Sequence, residues 1–263
     1  MKYLVIGSGS MALFVYLGAL SKLKQENMIE DLEEISGASA GSLVAFLFIL
    51  AKGDMAKVLD YSLTVPVKQL MKPNIKNLLK NYGLVSSEKL RKVFSETCMY
   101  FCGKPDVTFR ELYEWNPIKL HVATYCVNTM KTVYFSVDSS PTTSVLDALA
   151  ASIAVPFLIS GVKMNDGWSY IDGATAETIP ASPFLGKINS DIFAIYLGWG
   201  KLKEIKSLKD YAISIVYTSL KLRPVYDVPA LVIDNDDIDI FDFDINNEAK
   251  LKMFLWGRGQ KIS

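Results

Sequence analysis

The chain has 263 residues, 50% of them hydrophobic and 21% charged, with 16 glycines and three cysteines. That is enough apolar material for a sizeable core, and it excludes disordered, collagen-like and disulfide-stapled classes; a single domain over residues 1–263 is the expectation. Lys+Arg and Asp+Glu balance at 28 each, which excludes the basic footprint of a nucleic-acid binder, and Cys98, Cys102 and Cys126 form no CxxC pair, which points to reduced thiols in an intracellular compartment.

Lys2 and the apolar run after it resemble a secretory signal, but Gly7-Ser8-Gly9-Ser10 interrupts the run, so Lys2–Ile6 reads as a first strand. Ala12 to Gln25 follows with Leu13, Leu17, Leu20 and Leu23 at helical spacing. Glu33 to Ser36 leads into Gly37-Ala38-Ser39-Ala40-Gly41, and Ser42 to Lys52 reads as a buried helix closed by Gly53. Its apolar run, Leu43 to Ala51, is far shorter than the roughly 20 residues a bilayer crossing needs. Residues 54–115 look helical and broken at Pro66, Pro73, Gly83, Gly103 and Pro105, as a cap or insertion would be. Strands return at Lys119–Cys126 and Thr132–Val137, a helix at Ser144–Val155 stops at Pro156, and Tyr170–Gly173 and Ile192–Leu197 read as further strands. This alternation implies a mostly parallel sheet covered on both faces. Trp168, Trp199 and Trp256 are expected in the core.

The single histidine, His121, narrows the chemistry, since a Ser-His-Asp or Cys-His mechanism must use it. It falls inside the Lys119–Cys126 strand and reads as a structural side chain. Gly37 to Gly41 fits G-x-S-x-G, the sharp strand-to-helix turn that exposes a serine oxygen, with the helix amides and positive dipole end directed at the site. A base for Ser39 must then be a lysine or a carboxylate. Ser-x-x-Lys occurs at Ser21/Lys24, Ser86/Lys89 and Ser160/Lys163, none with the glycine turns or apolar run that would depress a lysine pKa. Asp172 stands out because a short apolar strand delivers it onto the small-residue turn Gly173-Ala174, where partial desolvation raises its basicity.

Gly37-Ala38-Ser39-Ala40-Gly41 together with Asp172-Gly173-Ala174 resembles the signature of the patatin-like phospholipases. Ala150-Ala151-Ser152-Ile153-Ala154-Val155-Pro156-Phe157 is similar to that family's A-x-x-A-S-x-A-x-P-x-F segment, and Thr178-Ile179-Pro180 to its short run ending in proline. The resemblance spans Gly7 to about Pro183 and implies a three-layer α/β/α sandwich, a lipid acyl hydrolase of phospholipase A type, a Ser39–Asp172 dyad and no cofactor. One segment departs: the family loop G-G-G-x-R/K-G is here Gly7-Ser8-Gly9-Ser10-Met11-Ala12, lacking the basic residue and the last glycine. Backbone donors need no side chain, so the oxyanion hole is expected from Gly7, Gly9, Ser10 and Ala40. The short form and its loop ending near Met11 are similar to patatin-like proteins of large DNA viruses.

Two other readings use the same residues. Gly7-x-Gly9-x-x-Ala12 also fits a dinucleotide fingerprint, with Glu26, Glu30 or Asp31 near the ribose spacing, and the altered loop also suits a non-catalytic lipid-binding protein. From Val67 to Lys92, seven basic residues stand against Glu88 alone, and Lys68, Lys72, Lys76 and Lys80 recur at intervals of four, the spacing of one helical face, with Pro73 dividing the stripe. They are the expected contacts to an anionic membrane for a peripheral cytoplasmic protein. Asp227 to Glu248 holds eight acids and no Lys or Arg, but Asp234-Asn235-Asp236 lacks a calcium loop's glycine and Ile245 stands where its bidentate Glu would be, so no metal is expected.

Overall fold

In the computed structural model, residues 1–198, 204–206, 211, 214–215, 227–234 and 239–261 are described. Trp199, Asn235 and Asp236 lie outside the described residues.

The central sheet has the order β10 (Ala230–Ile233), β9 (Ile192–Leu197), β1 (Tyr3–Ile6), β2 (Glu34–Ala38), β4 (Lys119–Cys126), β8 (Ser169–Asp172), β7 (Val162–Lys163), with β5 (Lys131–Phe135) also pairing with β4. The five strands from β10 to β4 run parallel, while β5 and β8 are antiparallel to β4, and β7 to β8. The four residues of β1 are all buried, as expected of a central parallel strand with both faces covered. Leu4 and Ile6 join the main core with α1 (Leu13–Gln25), α2 (Ala40–Leu50) and α8 (Val145–Ser152). Tyr3 and Val5 face a second cluster with Ile179, Ala181, Phe184, Ile192 and Ala194. The result is an α/β sandwich about a mostly parallel sheet.

Helix limits follow local chemistry. Ser144 caps α8 by accepting the Asp147 amide at 3.3 Å, and the helix ends four residues ahead of Pro156. Strand β2 extends through Ala38 and α2 starts at Ala40, so the turn between them is Ser39 alone. Residues 54–115 form α3 (Met55–Thr64), α4 (Val67–Leu70), α5 (Ile75–Asn81), β3 (Gly83–Val85), α6 (Ser87–Cys102) and α7 (Phe109–Trp115). Strand β3 pairs in parallel with β6 (Phe157–Ile159), which ties this segment to the chain just after α8. Near the C-terminus, α9 (Asn247–Arg258) lies along α1, where a Cβ on Gly18 would stand 2.0 Å from the Phe254 carbonyl oxygen and one on Gly257 only 1.9 Å from that of Val15.

Two expectations need correction. Lys68 to Lys80 do not share a helical face: α4 ends at Leu70, Pro73 lies in the connection, and α5 begins at Ile75. Trp168 is 45% exposed rather than in the core, since it sits in the turn joining β7 and β8; Trp256 is partly buried against the main core.

Candidate active site

The sheet brings Ser39 and Asp172 together through consecutive residues of β4. Ala38, the last residue of β2, pairs with Ala123, and Asp172, the last residue of antiparallel β8, pairs with Thr124. The ends of the two strands therefore meet on β4. Ser39 has φ 53° and ψ −124°, a conformation that costs a non-glycine residue on the order of 1–3 kcal/mol and persists because its surroundings enforce it. Those surroundings are crowded backbone: a Cβ on Gly41 would lie 2.1 Å from the Ile6 carbonyl oxygen, and one on Gly37 would lie 2.5 Å from the Ser42 amide. Only glycines let β1, β2 and α2 approach so closely.

Asp172 is buried and its Oδ1 accepts the Ala174 amide at 2.8 Å. Burial pushes its carboxyl up to about 7, against smaller opposing effects from the Ser39 side chain, which acts as a hydrogen-bond partner, and from the Ala174 amide. A carboxylate so placed takes a proton from a neighbouring hydroxyl more readily than a solvated one does.

The motif around Ser152 has a visible purpose. Its Oγ accepts the Ser39 amide at 3.0 Å and donates to the Ala123 carbonyl at 2.7 Å, so one fully buried hydroxyl links the Ser39 turn to β4. The run after Asp172 supplies two more ties: the Thr178 carbonyl accepts the Ser8 amide at 3.0 Å, and the Pro180 carbonyl accepts the Ser36 hydroxyl at 2.6 Å.

In the loop from Gly7 to Ala12 the expected donors divide. The Gly7 amide donates to the Ile195 carbonyl at 2.8 Å, continuing the pairing of β1 with β9, so Gly7 is not free to hold an oxyanion. The amides of Gly9, Ser10 and Ala40 have no acceptor among the described residues; that of Ala40 is in the first turn of α2, where no intrahelical partner exists. Ser10, Ser39 and Ala40 line one groove. Where the resemblance puts a basic residue, Met11 is buried in the groove wall and its amide donates to the Ile240 carbonyl at 3.1 Å. Tyr16 braces the loop from below: its hydroxyl donates to the Ser8 carbonyl at 2.7 Å and accepts the Leu197 amide at 3.2 Å, and its ring would lie 2.9 Å from a Cβ on Gly9. Sequence reasoning missed Tyr16, which belongs to no motif and stands beside the leucines that mark α1.

The groove is almost entirely apolar. Beyond Ser39 its walls come from Leu43 of α2, Leu70 at the end of α4 and Met71 just after it, Phe94 of α6, and Leu158 and Ile159 of β6. It therefore suits a hydrocarbon chain better than a polar ligand. Glu26, Glu30 and Asp31 lie in the turn before β2, at the opposite end of that strand from Ser39. An acidic ribose partner is needed at the end where the glycine loop opens, so the dinucleotide geometry is absent. His121 is also remote: Nε2 pairs with Glu34 Oε2 at 2.7 Å, and Glu34 starts the strand whose far end carries Ser39, roughly 16 Å along. Its ring stands edge-on to Phe184. The contact with His121 holds the Glu34 carboxyl below the usual carboxylate range. Among the described residues no group of three or more His, Cys, Asp or Glu is arranged to hold a metal ion, and no helix is long and apolar enough to cross a membrane.

Fold and site together define an α/β sandwich with a strained serine at a strand-to-helix elbow beside a buried aspartate. The sequence profile of the Patatin family, described as patatin-like phospholipase, matches residues 4–185, and the chain belongs to that family. It is 27% identical over 184 residues to a probable lipid hydrolase of Invertebrate iridescent virus 6, a match covering 68% of this chain and 61% of the viral protein. It is 22% identical over 276 residues to an uncharacterized protein of Acanthamoeba polyphaga mimivirus, covering 97% of this chain and 91% of that one. Among solved structures it is similar in fold to VipD from Legionella pneumophila, with a TM-score of 0.67 at 15% identity over 98% of this chain and 65% of VipD. The match thus spans less than two thirds of both the iridescent virus protein and VipD.

Proposed function

We propose that the chain is a lipid acyl hydrolase of phospholipase A type that works through a Ser39–Asp172 dyad. The observation that carries this reading is the strained Ser39 turn, set beside a carboxyl raised to about 7 and opening on an apolar groove. Ser39 Oγ attacks the ester carbonyl as its proton passes to Asp172. The oxygen that becomes negative is held by the amides of Gly9, Ser10 and Ala40, assisted by the positive end of α2. Collapse of the tetrahedral intermediate breaks the bond to the alcohol oxygen, which leaves with the proton from Asp172. Asp172 then takes a proton from water, the resulting hydroxide attacks the acyl-enzyme, and the fatty acid departs as Ser39 recovers its proton. Gly37, Gly41 and Gly173 serve as spacers that let the backbone close around the dyad. No cofactor or metal takes part.

In this reading residues 54–115 are the cap of a single domain, and its groove-lining side chains Leu70, Met71, Leu90, Val93 and Phe94, with Leu158 and Ile159 of β6, hold the acyl chain. The substrate is a phospholipid or another acyl lipid, reached by the protein as a peripheral visitor to a membrane from the cytoplasm. The test is release of fatty acid from phospholipid vesicles by the wild type, Ser39→Ala and Asp172→Asn. Loss in both variants is expected, and full activity in either overturns the dyad. A lipid-binding protein without catalysis would bind the vesicles and release nothing in any form.

A further inference from the structure

Three of the seven basic residues between Val67 and Lys92 are engaged within the fold. Lys68 pairs with Asp244 at 2.7 Å, Lys89 donates to the Gln69 and Leu70 carbonyls at the end of α4, and Arg91 binds Asp106 and Asp147. Lys72, Lys76, Lys80 and Lys92 differ: all four are exposed, and none is within salt-bridge distance of a carboxylate among the described residues; the first three lie in or just before α5.

Beside them lies an apolar face turned to solvent. On α5, Ile75 and Leu79 are one turn apart and share a side of the helix, and Tyr82 follows directly after the helix in the left-handed conformation. They are 71%, 78% and 78% exposed. Gly83, next to Tyr82, pairs with Phe157, which is itself 69% exposed. The inner side of α5 is held by the Asn77 side-chain amide donating to the Gly83 carbonyl at 2.6 Å. Helix α5 thus turns Ile75 and Leu79 outward, the reverse of a helix that serves only the core. Such a patch marks an interaction surface.

We propose that Ile75, Leu79, Tyr82 and Phe157, ringed by Lys72, Lys76 and Lys80, form a docking surface for an anionic lipid bilayer. The inference rests on the lipid hydrolase reading and identifies where that site meets its substrate. Two observations select the occupant. First, the surface adjoins the mouth of the groove: Met71 and Leu158, in the groove wall, are the chain neighbours of Lys72 and Phe157. A lipid leaving a bilayer pressed on this face enters the groove that ends at Ser39. Second, the three uncompensated charges favour an anionic surface and disfavour a second copy of the chain, because a two-fold contact would set these lysines against their own counterparts. Ile75, Leu79 and Phe157 then enter the acyl boundary while Tyr82 and the lysines sit among the headgroups.

The test is cosedimentation of the full chain with phosphatidylcholine vesicles, with and without phosphatidylserine, at low and high salt. Each variant is also assayed on a dispersed short-chain ester and sized by light scattering without lipid. Wild type should bind the phosphatidylserine vesicles far better than the pure phosphatidylcholine ones and lose that preference at high salt. Replacing Lys72, Lys76 and Lys80 together with Gln should weaken binding to the anionic vesicles by about 100-fold, roughly fivefold per charge. Ile75→Ser/Leu79→Ser should weaken binding at either salt. Both variants should hydrolyse the dispersed ester as wild type does. Unchanged vesicle binding in both variants, or equal binding of wild type to both vesicle types, overturns the proposal. A change in oligomeric state in Ile75→Ser/Leu79→Ser would instead assign the face to a self-contact. If wild type binds as expected but hydrolyses neither ester nor lipid, the docking surface stands and the catalytic reading falls.

Discussion

The hydroxyl of Ser152 accepts the amide of Ser39 across 113 positions of sequence. Because the same hydroxyl donates to the Ala123 carbonyl, the strained turn is fastened to the strand that also carries Asp172 at Thr124. Ser152→Ala leaves the Ser39 amide buried without a partner, which costs about 1–3 kcal/mol, and frees the turn to relax. Thermal unfolding should show that loss. The hydrolysis rate should fall by about tenfold or more with KM for a dispersed ester little changed, and a merely destabilised enzyme would recover its rate at low temperature whereas this variant would not.

Tyr16 is the brace of a loop that has no basic side chain of its own. Tyr16→Phe keeps the ring under Gly9 and removes only the hydroxyl shared by the Ser8 carbonyl and the Leu197 amide. Hydrolysis should fall about tenfold through kcat, since donors held less firmly stabilise the oxyanion less. A wild-type kcat would show that the backbone bonds at Gly7, Ser8 and Met11 suffice to hold the loop.

The pH dependence has a definite sign. In the proposed dyad Asp172 must be ionised to act as base, so kcat/KM should rise through pH about 7 and level off above it. Stability runs the other way. The folded-state pKa is raised above the ordinary carboxyl value of 3.8, so Asp172 contributes stability at low pH that is lost as pH climbs towards about 7. Asp172→Asn removes that burden: above pH about 7 it should be more stable than wild type, by an amount on the order of a few kcal/mol, while hydrolysing nothing. Denaturant titrations of both proteins on either side of neutrality check this, and a variant less stable than wild type at high pH would contradict it.

His121 gives the opposite pattern. His121→Ala strips the nearly buried Glu34 carboxylate of its hydrogen-bond partner, leaving only the longer 4.0 Å pairing with Lys187, and stability should drop by about 1–3 kcal/mol. Ester hydrolysis by the folded fraction should stay within a few-fold of wild type, as measured in the same assay used for Asp172→Asn.

Strands with continuous apolar runs were legible in the sequence: Lys119–Cys126 and Ile192–Leu197 are found with the expected bounds, and the first strand begins at Tyr3, one residue later than expected. Strands β3 and β6, three residues each, were not, because they exist through their pairing rather than any local pattern. The glycines of the elbow were legible because only that residue permits such backbone contact. The engagement of the Gly7 amide was invisible, since its acceptor Ile195 lies far along the chain. So was the brace from Tyr16 to Leu197, 181 positions apart. Regular spacing misled at Lys68 to Lys80, where Pro73 had more influence than the interval of four, and the outward face of α5 is defined by what fails to cover it.

Reaction with a fluorophosphonate probe, followed by mass spectrometry of the adduct, tests the central claim most directly, because labelling demands an activated serine and a working oxyanion hole together. The dyad account predicts one adduct, on Ser39, that is absent in Ser39→Ala, forms faster as pH rises through about 7, and persists in His121→Ala. An adduct on another serine, or ester hydrolysis surviving in Ser39→Ala, would contradict it.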